Sequence, residues 1–255
     1  MLKTLNACVG GIVDTSTVDW YGDVSIVVFF AGCNFRCPYC QNPSLIPLDS
    51  GVDTSLEAIQ KRIESNRSLL DSVVFTGGEP SLQPEPLIEA SRIAKKLGLK
   101  VMVNSNGSRP KCLERLISEE IVDRVALDLK APLNGEVYGV VCGLPDIGWN
   151  IVKNVEDSLK VCWSSGVELE IRTTVAPTLS DDPLFIKQIA SVIKGKCDVY
   201  YLQQFDNLGD VLDPSLKRLN PPSIEVMESL AKIAVEEGVE DVYIKTRERG
   251  LKRID

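Results

Sequence analysis

The chain has 255 residues, 44% hydrophobic and 25% charged, with a formal net charge of −8 and no histidine. That is enough apolar material for one full core, while the lack of histidine removes His-based triads, His-bearing zinc sites and imidazole acid–base catalysis. The acidic balance argues against broad binding to nucleic acid or anionic lipid and leaves only a local basic patch at Lys245, Arg247, Arg249, Lys252 and Arg253, which reads as a solvated tail.

Near the N-terminus the longest unbroken apolar run is residues 26–31, too short to cross a bilayer. No charged-then-apolar leader precedes it, so a cytoplasmic, thiol-reducing location is expected. Strand patterns fall at 25–30, 72–75, 100–103, 124–129, 168–175, 198–203 and 241–244. Helix patterns fall at 55–65, 85–97, 111–118, 150–164, 183–193 and 224–237, with stop signals such as Gly98 and Gly238. Alternation of this kind means parallel strands with crossover helices. Six units fall short of a closed eight-unit barrel, so the expected fold is α/β: a partial (β/α)6 TIM-like barrel with a C-terminal helix–strand extension. The chain is expected to be one domain, its core about 20–205 and its extension about 206–255. Segments 133–148 and 205–222 are rich in Gly, Pro, Asp and Asn and read as loops at the barrel mouth.

Ligands in parallel βα folds bind at the carboxyl ends of strands, so the residues just beyond each strand are informative. The first strand runs into Cys33-Asn34-Phe35-Arg36-Cys37-Pro38-Tyr39-Cys40. Three thiolates in so short a loop can hold three irons of a [4Fe–4S] cluster and leave the fourth open. A zinc site is the rival, but zinc favours four ligands in two pairs. The remaining cysteines (Cys8, Cys112, Cys142, Cys162 and Cys197) are scattered singly and read as small core residues. The second strand ends in Thr76-Gly77-Gly78-Glu79-Pro80 and the third in Asn104-Ser105-Asn106-Gly107. The fourth carries Asp128-Leu129-Lys130, the fifth Arg172-Thr173-Thr174, and the sixth Gln203-Gln204. Gly77-Gly78 could simply form a tight turn, Asp128 and Lys130 an ion pair, and Arg172 a salt bridge with Glu168 or Glu170. Polar groups at six successive strand ends nevertheless suit a ligand site, because unpaired buried charge is costly.

The Cys33-x3-Cys37-x2-Cys40 spacing, with Tyr39 before the last cysteine, resembles the signature of radical S-adenosylmethionine (radical SAM) enzymes. Gly77-Gly78-Glu79-Pro80 extends the resemblance, which runs from about Gly10 to Gln204. Asp19-Trp20-Tyr21-Gly22, Phe29-Phe30-Ala31-Gly32-Cys33, Gln41-Asn42-Pro43, Asp128-Leu129-Lys130 and Arg172-Thr173-Thr174-Val175 are similar to segments of the activating enzymes of glycyl radical proteins. Among these, the activators of anaerobic ribonucleotide reductase and of pyruvate formate-lyase are the most alike. The chain departs from the latter at Phe205, where they carry histidine, and at Asn104, where they carry aspartate.

The resemblance implies a [4Fe–4S] cluster on Cys33, Cys37 and Cys40 and S-adenosylmethionine (SAM) on its open iron. Gly77, Gly78 and Glu79 would meet the SAM ammonium, Lys130 and Arg172 its carboxylate, Asp128 and Asn104 polar groups near the ribose, and Tyr39, through its backbone, the adenine. Reductive cleavage of SAM would give a 5′-deoxyadenosyl radical that takes hydrogen from a glycine of a partner glycyl radical enzyme. An external donor such as flavodoxin or ferredoxin would supply the electron. The rivals are a radical SAM enzyme acting on a small molecule or RNA, with loops 133–148 and 205–222 completing its pocket, and a non-catalytic iron–sulfur electron carrier.

Overall fold

The computed structural model describes residues 5–255. Its strands are β1 (Asn6–Ser16), β2 (Ser25–Phe30), β3 (Val52–Ser55), β4 (Ser72–Gly77), β5 (Lys100–Ser105), β6 (Arg124–Asp128), β7 (Glu168–Val175), β8 (Val199–Gln204), β9 (Val242–Thr246) and β10 (Gly250–Ile254). Its helices are α1 (Leu56–Asn66), α2 (Pro84–Lys96), α3 (Pro110–Ser118), α4 (Gly135–Val141), α5 (Gly148–Ser165), α6 (Pro183–Ile193) and α7 (Ile224–Glu236). All ten strands join in one sheet, ordered β10-β9-β8-β7-β6-β5-β4-β2-β1-β3. Strands β2 and β4 to β8 are parallel neighbours, which is the expected six-unit α/β arrangement. Helix α7 and strand β9 form the C-terminal extension, and β9 adds a further parallel strand beside β8.

Several elements differ from the expectation. Strand β1 pairs antiparallel with β2 on one side and β3 on the other, although Gly10-Gly11 interrupts its β-branched pattern. Strand β10 folds back on β9 as a hairpin. The basic patch is therefore not a solvated tail. Lys245 donates to the Val18 carbonyl at 2.9 Å, and Arg247, Lys252 and Arg253 pair with Asp206, Glu228 and Asp241 at 3.1, 2.7 and 2.9 Å. Segment 133–148, expected as a loop, contains α4, whose N-terminal amides at Glu136 and Val137 are capped by the Asn134 side chain. Its glycines read as turn signals, but Gly135, Gly139 and Gly148 serve close packing of α4 on residues 145–149, and Gly143 packs on the Arg36 backbone.

Strand side chains alternate between two environments, as the pleat requires. Ile26, Val28, Phe30, Val73, Phe75, Val101, Val103, Val125, Leu127, Leu169 and Ile171 pack under the helices in the main core. The alternate residues face the concave side. There Val27, Val74, Met102 and Ala126 form a separate apolar cluster closed by Trp20. Farther along the same face the residues turn polar. Asp128, Arg172, Tyr201 and Tyr243 lie level across four strands, and Thr174, Gln203 and Lys245 form the next row. This gradient puts an apolar floor beneath a polar mouth.

A thiol-lined cavity at the strand ends

One cavity opens at the carboxyl ends of the parallel strands. Every residue assigned from the resemblance to the cluster or to SAM lines it: Cys33, Cys37, Tyr39 and Cys40 after β2, Gly77 at the end of β4 with Gly78 and Glu79 beyond it, Asn104 on β5, Asp128 at the end of β6 with Lys130 beyond it, and Arg172 on β7. Thr76, Thr174, Gln203, Gln41 and Asn42 complete the wall with others.

The cysteine loop is held from four directions. Behind it, the Gly32 and Cys33 amides donate to the Leu45 and Ile46 carbonyls at 2.8 and 2.9 Å. On one flank, Asn34 Oδ1 accepts from Asn106 Nδ2 and Ser108 Oγ at 3.1 and 3.3 Å. On the other, the Arg36 amide donates to the Cys142 carbonyl at 2.8 Å. In front, the Leu212 and Asp213 amides donate to the Cys40 and Pro38 carbonyls at 3.0 and 2.9 Å, and Gln41 Nε2 reaches the Asp206 carbonyl at 2.9 Å. Segment 205–222, expected as a mouth loop, is thus strapped to the cysteine loop. The thiols differ in character. Burial pushes Cys33 up to about 11 and raises Cys40 as well. At Cys37 the neighbouring Cys142 thiol, helped by the Lys130 cation, outweighs burial and draws it down to about 7.

Gly77 and Gly78 lie against the end of β2. A Cβ on Gly77 would sit 2.2 Å from the Phe30 carbonyl oxygen, and one on Gly78 2.2 Å from that of Gly32. Their close approach is backbone to backbone, which only glycine permits. The Gly78 and Glu79 amides are spent on the Phe30 and Gly32 carbonyls at 2.9 and 2.7 Å. What this turn can offer a ligand is therefore carbonyl oxygen, an acceptor suited to an ammonium group. The Glu79 carboxylate is engaged elsewhere: it is fully buried and accepts from the Ser81 amide, Ser81 Oγ, Ser105 Oγ and the Asn106 amide at 3.1, 2.5, 3.0 and 2.6 Å. Burial outweighs these donors and raises its pKa. Glu79 clasps the β4 turn to the β5 turn, a different task from the ammonium contact expected of its carboxylate.

Lys130 Nζ lies 3.0 Å from Asp128 Oδ2 and 6.0 Å from the centre of the Tyr39 ring. Burial disfavours its charge, but Asp128 together with the Tyr39, Cys37 and Cys142 side chains outweighs this and keeps it protonated. Arg172 is largely but not fully buried, paired through Nε with Glu170, and directed to the Asp19 carbonyl at 3.4 Å. The salt bridge weighed from sequence is therefore present, with Glu170 as partner, while Glu168 pairs with Arg124. Asn104 Nδ2 donates to Thr76 Oγ1 at 3.1 Å, but Asn104 Oδ1 is buried without a partner, as is the Tyr39 hydroxyl. An orphaned buried acceptor in a cavity wall is costly unless a ligand satisfies it. Phe205 is buried in the core and does not line the cavity; Gln203, two residues earlier, does. Three thiols at one rim, free carbonyls on the opposite turn, a fixed cation and an unpaired acceptor fit an iron–sulfur cluster beside a ligand bearing ammonium, carboxylate and hydroxyl groups.

Sequence reasoning missed two contributors. Gln83 donates to the Cys8 and Ala31 carbonyls at 2.9 Å each and accepts from the Cys8 amide at 2.8 Å, tying β1 to the end of β2. Its only local sign was a polar residue just before a helix. Cys142 backs the cysteine loop, its carbonyl accepting from the Arg36 amide, and no local signal could place it there, because its position depends on how α4 packs.

The pattern of the Radical SAM superfamily matches residues 27–187. The chain is 35% identical to the "Putative glycyl-radical enzyme activating enzyme" of Methanocaldococcus jannaschii over 95% of this chain and 97% of that one. It is 31% identical to the pyruvate formate-lyase-activating enzyme of Clostridium pasteurianum, over 67% of this chain and 70% of that one. Among solved structures, a radical SAM methyltransferase from Sphaerobacter thermophilus superposes with a TM-score of 0.69 at 14% identity, covering 89% of this chain and 67% of that one. Among the described residues no helix is long and apolar enough to cross a membrane.

Proposed function

Because the chain belongs to the radical SAM superfamily, as an enzyme of the type that activates glycyl radical enzymes, we propose that Cys33, Cys37 and Cys40 hold its [4Fe–4S] cluster and that the strand ends hold SAM. When bound, the two supply reductive cleavage of the sulfonium bond and a 5′-deoxyadenosyl radical. The chain's own residues bind and orient. The carbonyls of the Gly77-Gly78 turn accept from the ammonium, and Lys130, held charged by Asp128, faces the carboxylate. Asn104 Oδ1 accepts from a ribose hydroxyl, which removes the cost of leaving it unpaired. Arg172 adds positive charge, with part of its hydrogen bonding already given to Glu170. The backbone of Tyr39 borders the adenine. The single observation that carries this reading is the convergence of all eleven residues on one cavity.

The proposed substrate is a glycine on a partner glycyl radical enzyme, anaerobic ribonucleotide reductase in particular, with a flavodoxin or ferredoxin as electron donor in a reducing cytoplasm. Residues 1–255 act as one unit, the part beyond about 205 serving as its extension. One observation favours a second reading, chemistry on a small molecule or RNA: the 206–213 segment is tied by hydrogen bonds to the cysteine loop, so this flank of the site is already occupied by the chain itself.

Anaerobic reconstitution followed by dithionite and SAM tests the proposal. 5′-Deoxyadenosine is expected from the native protein and none from Cys37→Ala protein whose circular dichroism is unchanged. Cleavage surviving in that variant would defeat the ligand assignment. A glycyl radical signal in electron paramagnetic resonance (EPR), seen with anaerobic ribonucleotide reductase and not with other partners, supports the named substrate; turnover of a small molecule or tRNA instead supports the second reading.

A further inference from the structure

A second cavity, of about 600 Å³, lies outside the site, between the first turns of α2 and α3 and the second turn of α5. That volume falls in the range of small-molecule sites, roughly 300–1,000 Å³. No carboxylate lines it, although the chain carries a net charge of −8, whereas Arg109, Lys111 and Arg115 all do. Arg115 is partly committed, through Nε to Glu119 at 2.9 Å and through Nη1 to Glu85 at 2.6 Å, which leaves Nη2. Arg109 and Lys111 are exposed and form no salt bridge among the described residues. So much positive charge on one wall calls for more than a single carboxylate. A phosphate monoester carries about −1.5 to −2 near neutral pH and offers three acceptor oxygens to such a set.

The other walls narrow the class. Ser81 and Ser108 line the cavity, and each hydroxyl spends its one proton on the cysteine-loop side. Ser81 Oγ donates to Glu79 at 2.5 Å and Ser108 Oγ to Asn34 Oδ1 at 3.3 Å. These oxygens keep only acceptor capacity, which repels an anion but suits a ligand hydroxyl. Asn154 on α5 can donate or accept, and Leu82 and Ile88 give an apolar surface on which a ring can lie. A matching ligand has phosphate against the cations, hydroxyls against the serines and a ring face against the aliphatic side chains. We propose that this cavity is a second ligand site, distinct from the strand ends, for a phosphate ester of a hydroxyl-bearing ring: a sugar phosphate or a nucleotide. The proposal does not depend on the cysteines holding iron.

Isothermal titration calorimetry of the full chain, reconstituted anaerobically and held in excess SAM to keep the strand ends filled, tests this with four probes: inorganic phosphate, ribose 5-phosphate, adenosine 5′-monophosphate and adenosine. At least one of the two esters is expected to bind about tenfold more tightly than phosphate, and adenosine not to bind. A tighter fit for adenosine 5′-monophosphate supports the nucleotide form, and an equal or tighter fit for ribose 5-phosphate the sugar phosphate. Arg109→Gln combined with Lys111→Gln should weaken the bound ester at least about tenfold. Lys217→Gln combined with Arg218→Gln, which removes the same charge elsewhere, should leave its affinity unchanged. Asn154→Asp sets a carboxylate on the cavity wall and should weaken the ester comparably; it decides alone if circular dichroism shows that the first pair does not fold. Three results overturn the proposal: no heat from either ester at millimolar concentration, affinity unchanged in the cavity variants, or phosphate binding as tightly as both esters. Failure of SAM cleavage would defeat the cluster assignment and leave these titrations standing.

Discussion

Glu79 shows at the residue scale how a motif can be read correctly in place and differently in role. Its position after β4 was legible, because a Gly-Gly-Glu-Pro turn ends an apolar run. Its donors were not, since Ser81, Ser105 and Asn106 come together only when the β4 and β5 turns lie side by side. Glu79→Gln keeps the shape but presents an amide nitrogen to one side of that donor set. The serine hydroxyls can rotate to accept from it, whereas the Ser81 or Asn106 amide then faces a donor. A loss of about 1–3 kcal/mol in urea unfolding is expected. The pH dependence follows from the raised carboxyl. The folded state holds that proton more tightly than the unfolded chain, so the carboxyl's stabilisation is complete below the ordinary carboxylate value and is lost as pH rises through the folded value. Unfolding curves across that window should show the native protein's advantage over Glu79→Gln shrinking as pH increases.

The parallel strands and their helices were legible as elements because period and punctuation agree along the chain. Strands β1, β3 and β10 and helix α4 were not. Each is short or glycine-broken, and each is stabilised by pairing or packing with another element rather than by its own pattern: β1 by β2 and β3, β10 by β9, α4 by α5 and the cysteine loop. Gly143 tests the junction of α4 with that loop. Gly143→Ala meets a left-handed backbone, costing about 1–3 kcal/mol, and also a Cβ pressed on the Arg36 carbonyl oxygen. Gly166 is left-handed too, at φ +73°, but a Cβ there meets nothing within 4 Å. Thermal melts should show both alanine variants destabilised, Gly143→Ala more so. Iron uptake on reconstitution should fall in Gly143→Ala alone, because only that change displaces the Arg36–Cys37 backbone.

Over the whole molecule, the concave face has two ends with opposite chemistry. Composition and strand order foretold the polar end, but the apolar floor depends on Trp20, contributed by the turn between β1 and β2. Its ring packs on Val27, Val74, Met102 and Ala126, with the Lys100 and Arg124 cations 5.6 and 5.1 Å from its centre. Trp20→Ala would leave a cavity under the site and take the aromatic face away from both cations. A loss of about 3–5 kcal/mol in denaturant unfolding is expected, with the helical circular dichroism of the surviving folded fraction unchanged. The same turn meets Arg172 and Lys245 through the Asp19 and Val18 carbonyls, so the floor also joins the two flanks of the sheet.

The strap at residues 206–213 has a kinetic consequence. The wall beside the cysteine loop is completed by segments without regular strand pairing, and the three hydrogen bonds from Gln41, Leu212 and Asp213 connect them. At a net worth of about 1 kcal/mol each, releasing them costs on the order of 3 kcal/mol, so roughly one molecule in a hundred stands ajar at any moment. The strap thus opens far more often than the sheet unfolds, and while closed it holds the Pro38 and Cys40 carbonyls and the Gln41 side chain in place. A partner that binds only with the strap released must return those few kilocalories through its own contacts.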